Sequence, residues 1–141
     1  MASTILVIGG YGTTGATLSE LLLEHSDANV ILAGRTPAKA EALAATLRAR
    51  YPERVSARRA DASDPGSLAA AFGGIDMVAV AASSLVHART VMEAALHAGI
   101  DYFDLQMSAA GKLAALEDLR GQIEREGRCF ITDGGIHPGL S

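Results

Sequence analysis

The chain has a single cysteine, Cys129, in 141 residues, so it can build neither an internal disulfide framework nor a cysteine-based zinc site. The position of Cys129 in a strand-like run reads as that of a small buried hydrophobe. The four histidines, His25, His87, His97 and His137, show no metal-ligand spacing, and no metal is expected. The first three lie on or beside predicted helices and read as surface positions. Positive charge is also scarce: 12 Lys and Arg against 16 Asp and Glu leave a formal net charge of −4. Without clustered cations the chain has no long-range attraction for polyanions, and no nucleic-acid partner is expected. No apolar stretch approaches the roughly 20 residues that span a bilayer. Met1 to Ser3 run into an apolar segment with no basic region or cleavage site before it. No membrane partner is expected, and the chain reads as cytoplasmic.

What is present is apolar and periodic. Hydrophobic residues make up 49% of the chain and charged ones 20%, enough for one well-buried core and too little length for a second full domain. Thr4 to Ile8 is a continuous apolar run suited to a strand buried on both faces, and Thr14 to His25 follows with Leu18, Leu21 and Leu22 at helical spacing. Asn29 to Ala33 reads as a second strand. Thr36 as N-cap and Pro37 at the first helical position then open a helix that carries Ala40, Leu43 and Leu47 and ends near Arg50. Val55 to Ala60 is a third strand, and Asp64-Pro65 starts a short helix that Gly73 and Gly74 stop after Phe72. Ile75 to Ala81 is the fourth strand, followed by a helix from Val86 to Ala98 closed by Gly99. Asp101 to Leu105 is a fifth strand. A helix over roughly Ala110 to Glu126 carries Leu113, Leu116, Leu119 and Ile123 on one side, and Cys129 to Thr132 is the sixth strand. Helical crossovers between the strands predict an α/β fold: a doubly wound, parallel six-stranded sheet of Rossmann type, order 3-2-1-4-5-6, with both faces covered.

The first strand-to-helix turn is Gly9-Gly10-Tyr11-Gly12-Thr13-Thr14-Gly15. It satisfies GxGxxG through Gly10, Gly12 and Gly15, and GxxGxxG through Gly9, Gly12 and Gly15. Both registers serve the same physics. One glycine allows a tight turn, one lets the backbone approach a pyrophosphate, and Gly15 brings the helix close to the sheet. The helix N-terminus offers free N–H groups and partial positive charge to the phosphates. Its position after the first strand and before the first helix makes this a dinucleotide signature. Gly10 and Gly15 also match the glycine spacing of a Walker A loop, but Ala16 and Thr17 stand where its lysine and hydroxyl residue would be. Nucleoside-triphosphate hydrolysis is disfavoured accordingly.

About 20 residues beyond the last glycine, an NAD enzyme carries Asp or Glu at the end of the second strand to hold the ribose. Here the strand ends Ala33-Gly34-Arg35-Thr36. A carboxylate would repel a 2′-phosphate, whereas a small glycine leaves it room and a guanidinium binds it with two charged hydrogen bonds. Lys39 adds a second positive charge and Thr36 a hydroxyl, unless these are simply a solvated helix charge and a helix cap. NADP(H) is therefore expected over NAD(H). Asp61 opens Asp61-Ala62-Ser63-Asp64 after the third strand, where it either accepts from the adenine amino group or, with Asp64, caps the next helix. After the fourth strand, Ala82 and Ser83 lie across the topological switch point and suit a close approach of the nicotinamide half. His137 stands in the glycine-rich exit Asp133-Gly134-Gly135-Ile136-His137-Pro138-Gly139, either as part of a turn or at the carboxyl edge where ligands of α/β domains collect. No Tyr-x-x-x-Lys pair occurs, because Tyr11, Tyr51 and Tyr102 are followed four positions later by Gly15, Val55 and Gln106.

Val7-Ile8-Gly9-Gly10-Tyr11-Gly12-Thr13-Thr14-Gly15, Ala33-Gly34-Arg35, Asp61, Gly99-Ile100-Asp101-Tyr102-Phe103-Asp104-Leu105 and Gly134-Gly135-Ile136-His137-Pro138-Gly139-Leu140 together carry a family likeness. Across essentially its whole length the chain resembles the N-terminal NADP-binding domain of the saccharopine dehydrogenase-like oxidoreductases. The resemblance implies hydride transfer between nicotinamide and a carbon bearing nitrogen or oxygen, with a small-molecule substrate held by a domain that would follow residue 141. It also makes Gly135-x-x-Pro138-Gly139 the gateway to that domain. His137 stands where relatives often have Asp, and Ser83-Ser84 replaces a Pro-containing turn, so the substrate stays open. An NADP-sensing module of the NmrA kind, binding without chemistry, is the alternative. Exposed apolar surface near the end of the chain would favour self-association as a homodimer.

Overall fold

The computed structural model describes residues 2–82, 85–107 and 109–134. The apolar run Thr4–Ile8 forms β1, with Leu6 and Val7 fully buried at the centre of the sheet. β1 pairs in parallel with β2 (Asn29–Gly34) on one side and β4 (Met77–Val80) on the other. β3 (Val55–Arg59) lies outside β2, and β5 (Asp101–Asp104) and β6 (Phe130–Ile131) extend the other side. The order is β3-β2-β1-β4-β5-β6, parallel throughout, as the alternation of apolar runs and crossovers predicts.

Among the described residues five α-helices connect the strands: α1 (Thr13–His25), α2 (Pro37–Arg48), α3 (Pro65–Ala71), α4 (Ala88–Ala98) and α5 (Ala110–Arg125). Leu23 of α1 and Ala40, Ala44 and Leu47 of α2 form one core layer with Val7, Val30 and Leu32. On the opposite face Leu68 of α3, Val91, Met92 and Ala95 of α4 and Ala115 of α5 pack against Leu6, Ile31, Val78, Val80 and Tyr102. The local signals act largely as their chemistry requires. The Asp64 carboxylate accepts from the Gly66 N–H at 2.9 Å to cap α3, and Gly99 closes α4 in the left-handed region at φ 71°. Thr36 sits at the N-cap of α2, but its side chain makes no capping bond.

Several expectations shift. The buried stripe of α1 is Gly15, Ser19 and Leu23, with Leu21 half exposed, because this helix meets the sheet through its glycine. A 3-10 turn (Leu85–His87) precedes α4, which starts at Ala88 rather than Val86. The buried residues of α5 are Lys112 and Ala115, and Leu113 is 51% exposed. Cys129 is exposed rather than buried. It immediately precedes Phe130, which stacks on Tyr102 at the core face, so strand alternation turns Cys129 to the other side, where Ile131 is also half exposed. Among the described residues, no helix is long and apolar enough to cross a membrane.

Candidate functional site

The carboxyl ends of β1, β2, β3 and β4 open into a cleft of about 560 Å³. Its walls come from the turn after β1 (Gly9, Tyr11, Gly12, Thr13, Thr14), the end of β2 (Gly34, Arg35), the loop after β3 (Ala60 to Ser63) and the segment after β4 (Ala81, Ala82, Val86, His87). Of the residues anticipated from sequence, Gly9, Tyr11, Gly12, Thr13, Thr14, Arg35, Asp61 and Ala82 line this cavity. Ser83 and His137 lie outside the described residues. Thr36 and Lys39 are exposed at the start of α2 and do not line the cavity, and Gly10 and Gly15 are behind its wall.

The glycines divide their work. Gly9 has φ +81°, and a Cβ there would lie 2.9 Å from the backbone N of Ala82, so the turn needs a glycine both for its left-handed backbone and for its contact with the end of β4. A Cβ on Gly10 would press on Leu32 and the Val7 carbonyl, and one on Gly15 would overlap the Gly9 carbonyl. Gly12 is the exception. Its Cβ would meet only the Gly9 carbonyl oxygen, at 3.4 Å, so it faces open space on the cleft side. The ladder of α1 begins with Ala16 N–H donating to Gly12 at 2.8 Å, and the N–H groups of Thr13, Thr14 and Gly15 precede it. Among the described residues no side chain caps this helix end, and no acidic residue occupies its first turn. An anion can take the place of the missing cap.

At the other end of the cleft the ring of Tyr11 lies on Gly34. A Cβ at Gly34 would stand 2.6 Å from the Tyr11 hydroxyl oxygen, which accepts from the Thr36 N–H at 3.2 Å. The space that glycine was expected to leave for a phosphate is therefore taken by the Tyr11 ring. Arg35, exposed beside it, has no hydrogen bond or ion pair among the described residues. Asp61 accepts from the hydroxyl and the N–H of Ser63 at 2.7 and 3.0 Å. These bonds, with Arg59 and Arg35 nearby, hold its carboxyl below the ordinary aspartate range. Asp64, not Asp61, caps α3.

Sequence reasoning missed His87. Expected at the surface like His25 and His97, it is half-buried and lines the cleft. Its position in the first turn of a predicted helix, just after a strand that ends at the switch point, was the available signal.

A second polar cluster lies at the carboxyl end of β5. Asp104 and Lys112 are fully buried. The Lys112 ammonium donates to Asp104 Oδ1 at 3.2 Å, Asp133 Oδ1 at 2.9 Å and the Gln106 carbonyl at 2.8 Å, using all three of its protons. The Tyr102 hydroxyl donates to Asp104 Oδ2 at 2.5 Å. Burial, and then that bond to a carboxylate, push the Tyr102 hydroxyl pKa well above the usual tyrosine range. In the unfolded chain Tyr102 ionises near pH 10 while the folded hydroxyl keeps its proton, so its contribution is whole below about pH 10 and falls as pH rises further. Tyr102→Phe lacks this dependence. The stability gap between wild type and Y102F, from urea unfolding at pH 8 and pH 11, is expected to narrow at the higher pH. A constant gap would contradict the shift.

This parallel sheet with a glycine turn at the amino end of α1 and a cleft at the switch point defines a Rossmann dinucleotide-binding domain. A family model described as the saccharopine dehydrogenase NADP binding domain matches residues 5–128. The chain belongs to that family and is an NADP-binding domain of its kind. Among solved structures it is similar to apo saccharopine dehydrogenase (L-Glu forming) from Saccharomyces cerevisiae, with TM-score 0.79 and 24% identity over 99% of this chain. The chain spans 28% of the length of that protein. It is also similar to the Citrobacter sp. triphenylmethane reductase complexed with NADP(H), with TM-score 0.64, 22% identity and coverage of 90% of this chain and 48% of that one. A short-chain type dehydrogenase/reductase from Mycobacterium ulcerans gives TM-score 0.68 at 14% identity over 89% of this chain and 64% of that one. At these identities the structures establish the fold.

Proposed function

We propose that the chain supplies the cofactor side of an NADP-dependent oxidoreductase, with the groups that orient the substrate on a further domain. The observation that carries this reading is a single cleft joining a helix end with no side-chain cap and no acidic residue in its first turn to a guanidinium that makes no hydrogen bond or ion pair among the described residues. The N–H groups at the start of α1 hold the diphosphate, and Gly12 lets it approach without a Cβ in the way. Arg35 binds the 2′-phosphate, with Lys39 and the Thr36 hydroxyl adding to the same patch from the first turn of α2. Asp61, Ala62 and Ser63 border the adenine. Ala82 and His87, which both line the cleft, border the nicotinamide half, and Ser83, next to Ala82 in sequence, is assigned to the same half. Bound there, the cofactor supplies or accepts a hydride. Ala81 and Ala82, at the carboxyl end of β4, would hold its ring on that side of the cleft. The substrate class proposed is a small molecule whose reacting carbon bears nitrogen or oxygen.

Calorimetric titration with NADPH and NADH is the direct test. NADPH is expected to bind at least about tenfold more tightly, or about 1.4 kcal/mol, and equal affinities would overturn the role given to Arg35.

A further inference from the structure

Lys112 sits at the buried stripe of α5, one position before the half-exposed Leu113. Burying an ammonium there gives no evident gain in stability, because well-packed apolar residues commonly replace buried ion pairs at no cost. Its three acceptors explain it better. They belong to three segments outside α5: the end of β5 at Asp104, the loop beyond it at the Gln106 carbonyl, and the turn after β6 at Asp133. Asp104 reinforces the junction. Its Oδ1 accepts from the N–H groups of Gln106 at 3.2 Å and Asp133 at 3.0 Å, and its carbonyl from Gly134 N–H at 2.9 Å. Asp133 is held in the left-handed region at φ 58°, and Gly134 lies against the Phe103 ring with no room for a Cβ.

The junction also reaches the cofactor cleft. Gln106 Nε2 donates to the Ala82 carbonyl at 2.7 Å, and Ala82 is the residue packed against Gly9 of the glycine turn. An unbroken set of contacts therefore runs from Gly9 through Ala82 and Gln106 to Lys112, and from there to Asp133 and Gly134.

We infer that Lys112 is a positioning residue that ties the turn after β6 to the dinucleotide turn, so that occupation of the cleft tightens Asp133 and Gly134. The inference rests on the proposed cofactor reading. A ligand that orders residues 9–15 immobilises Ala82 against them, and the Gln106 bond passes that constraint to the ammonium. Lys112 gathers the remaining segments because its three donors point three ways from one atom, which a leucine of similar volume cannot do.

Amide hydrogen exchange of the whole chain, with and without saturating NADPH, tests this. In wild type, exchange is expected to slow at residues 9–15, and by at least about fivefold at Asp133 and Gly134, the low end of typical coupling between sites. In Lys112→Met the protection at 9–15 persists while the NADPH-dependent part at 133–134 is sharply reduced, leaving only what the direct Asp104 bonds transmit. Asp133→Asn is the second variant, for the case in which K112M does not fold. Its side chain is 38% exposed, asparagine tolerates the left-handed backbone, and the loss of charge weakens the clamp, so the same split is expected. Protection at 9–15 with none at 133–134 in wild type, or protection at 133–134 unchanged in the folded variants, would overturn the inference alone. Absence of protection at 9–15 in wild type would overturn it together with the cofactor reading.

Discussion

Gly15→Ala is expected to abolish detectable NADPH binding and to destabilise the domain by about 3 kcal/mol, at the upper end of what overpacking usually costs. The added methyl has nowhere to go. It would overlap the Gly9 carbonyl oxygen and lie 2.7 Å from the Gly9 carbonyl carbon and 2.9 Å from Gly10 Cα, all backbone atoms that cannot swing aside like a flexible side chain. Either α1 backs away from the turn or the turn opens, and both disperse the N–H groups that converge at the helix end. Gly9 is further held by its own N–H bond to the Ala33 carbonyl at 2.8 Å, so opening the turn also disturbs the end of β2. A drop of roughly 10 °C in melting temperature is expected for a domain of this size. Gly12→Ala is the contrast. Its Cβ would meet only one atom, at 3.4 Å, so the protein should fold normally and lose affinity alone. Wild-type NADPH affinity in G15A would mean that the helix end is not where the diphosphate sits.

Reversing the charge at Arg35 has the second large effect. Arg35→Glu is expected to weaken NADPH at least about 100-fold, or about 2.7 kcal/mol, while changing NADH affinity less than about threefold. The phosphate loses up to two charged hydrogen bonds, each worth about 1.5–3 kcal/mol, and meets a like charge. The wild-type site is exposed, so solvent screening discounts the sum, and raising the salt should narrow the difference. Arg35→Lys retains charge without the planar fork and should fall between the two. The fold should be indifferent, since Arg35 makes no hydrogen bond or ion pair among the described residues. Isothermal titration with both dinucleotides reads the result. Equal losses for NADPH and NADH would place Arg35 on a part common to both molecules and remove the basis for cofactor preference.

The architecture was legible because each element carries its own period. Thr4–Ile8, Asn29–Gly34 and Met77–Val80 are apolar on both faces, as only interior parallel strands need to be. Gly9, Gly12 and Gly15 marked the turn because the backbone demands there are local. The cleft was legible in outline, through Tyr11, Arg35, Asp61 and Ala82. His87 was missed because the 3-10 turn before α4 moves it from a helix surface into the wall of the cleft.

Other details depended on residues remote in sequence. Gly34 looked like room for a phosphate, yet the aromatic ring that fills the space comes from Tyr11, 25 residues before Thr36, whose N–H binds that ring's hydroxyl. Cys129 looked like core, but β6 is an edge strand whose inward position goes to Phe130. The apolar spacing along α5 marks its leucines and gives Lys112 no role. Its partners stand 8 residues before it and 21 after it.

By itself the sequence determined the strand order, the glycine turn and the sign of the charge expected at the ribose, because apolar period, left-handed backbone and formal charge are properties of short segments. Only the tertiary structure decided which charges are buried and what they hold together. The cost of desolvating an ammonium is met only when Asp104, Gln106 and Asp133 converge on it, and that convergence exists only once β5, α5 and β6 have packed.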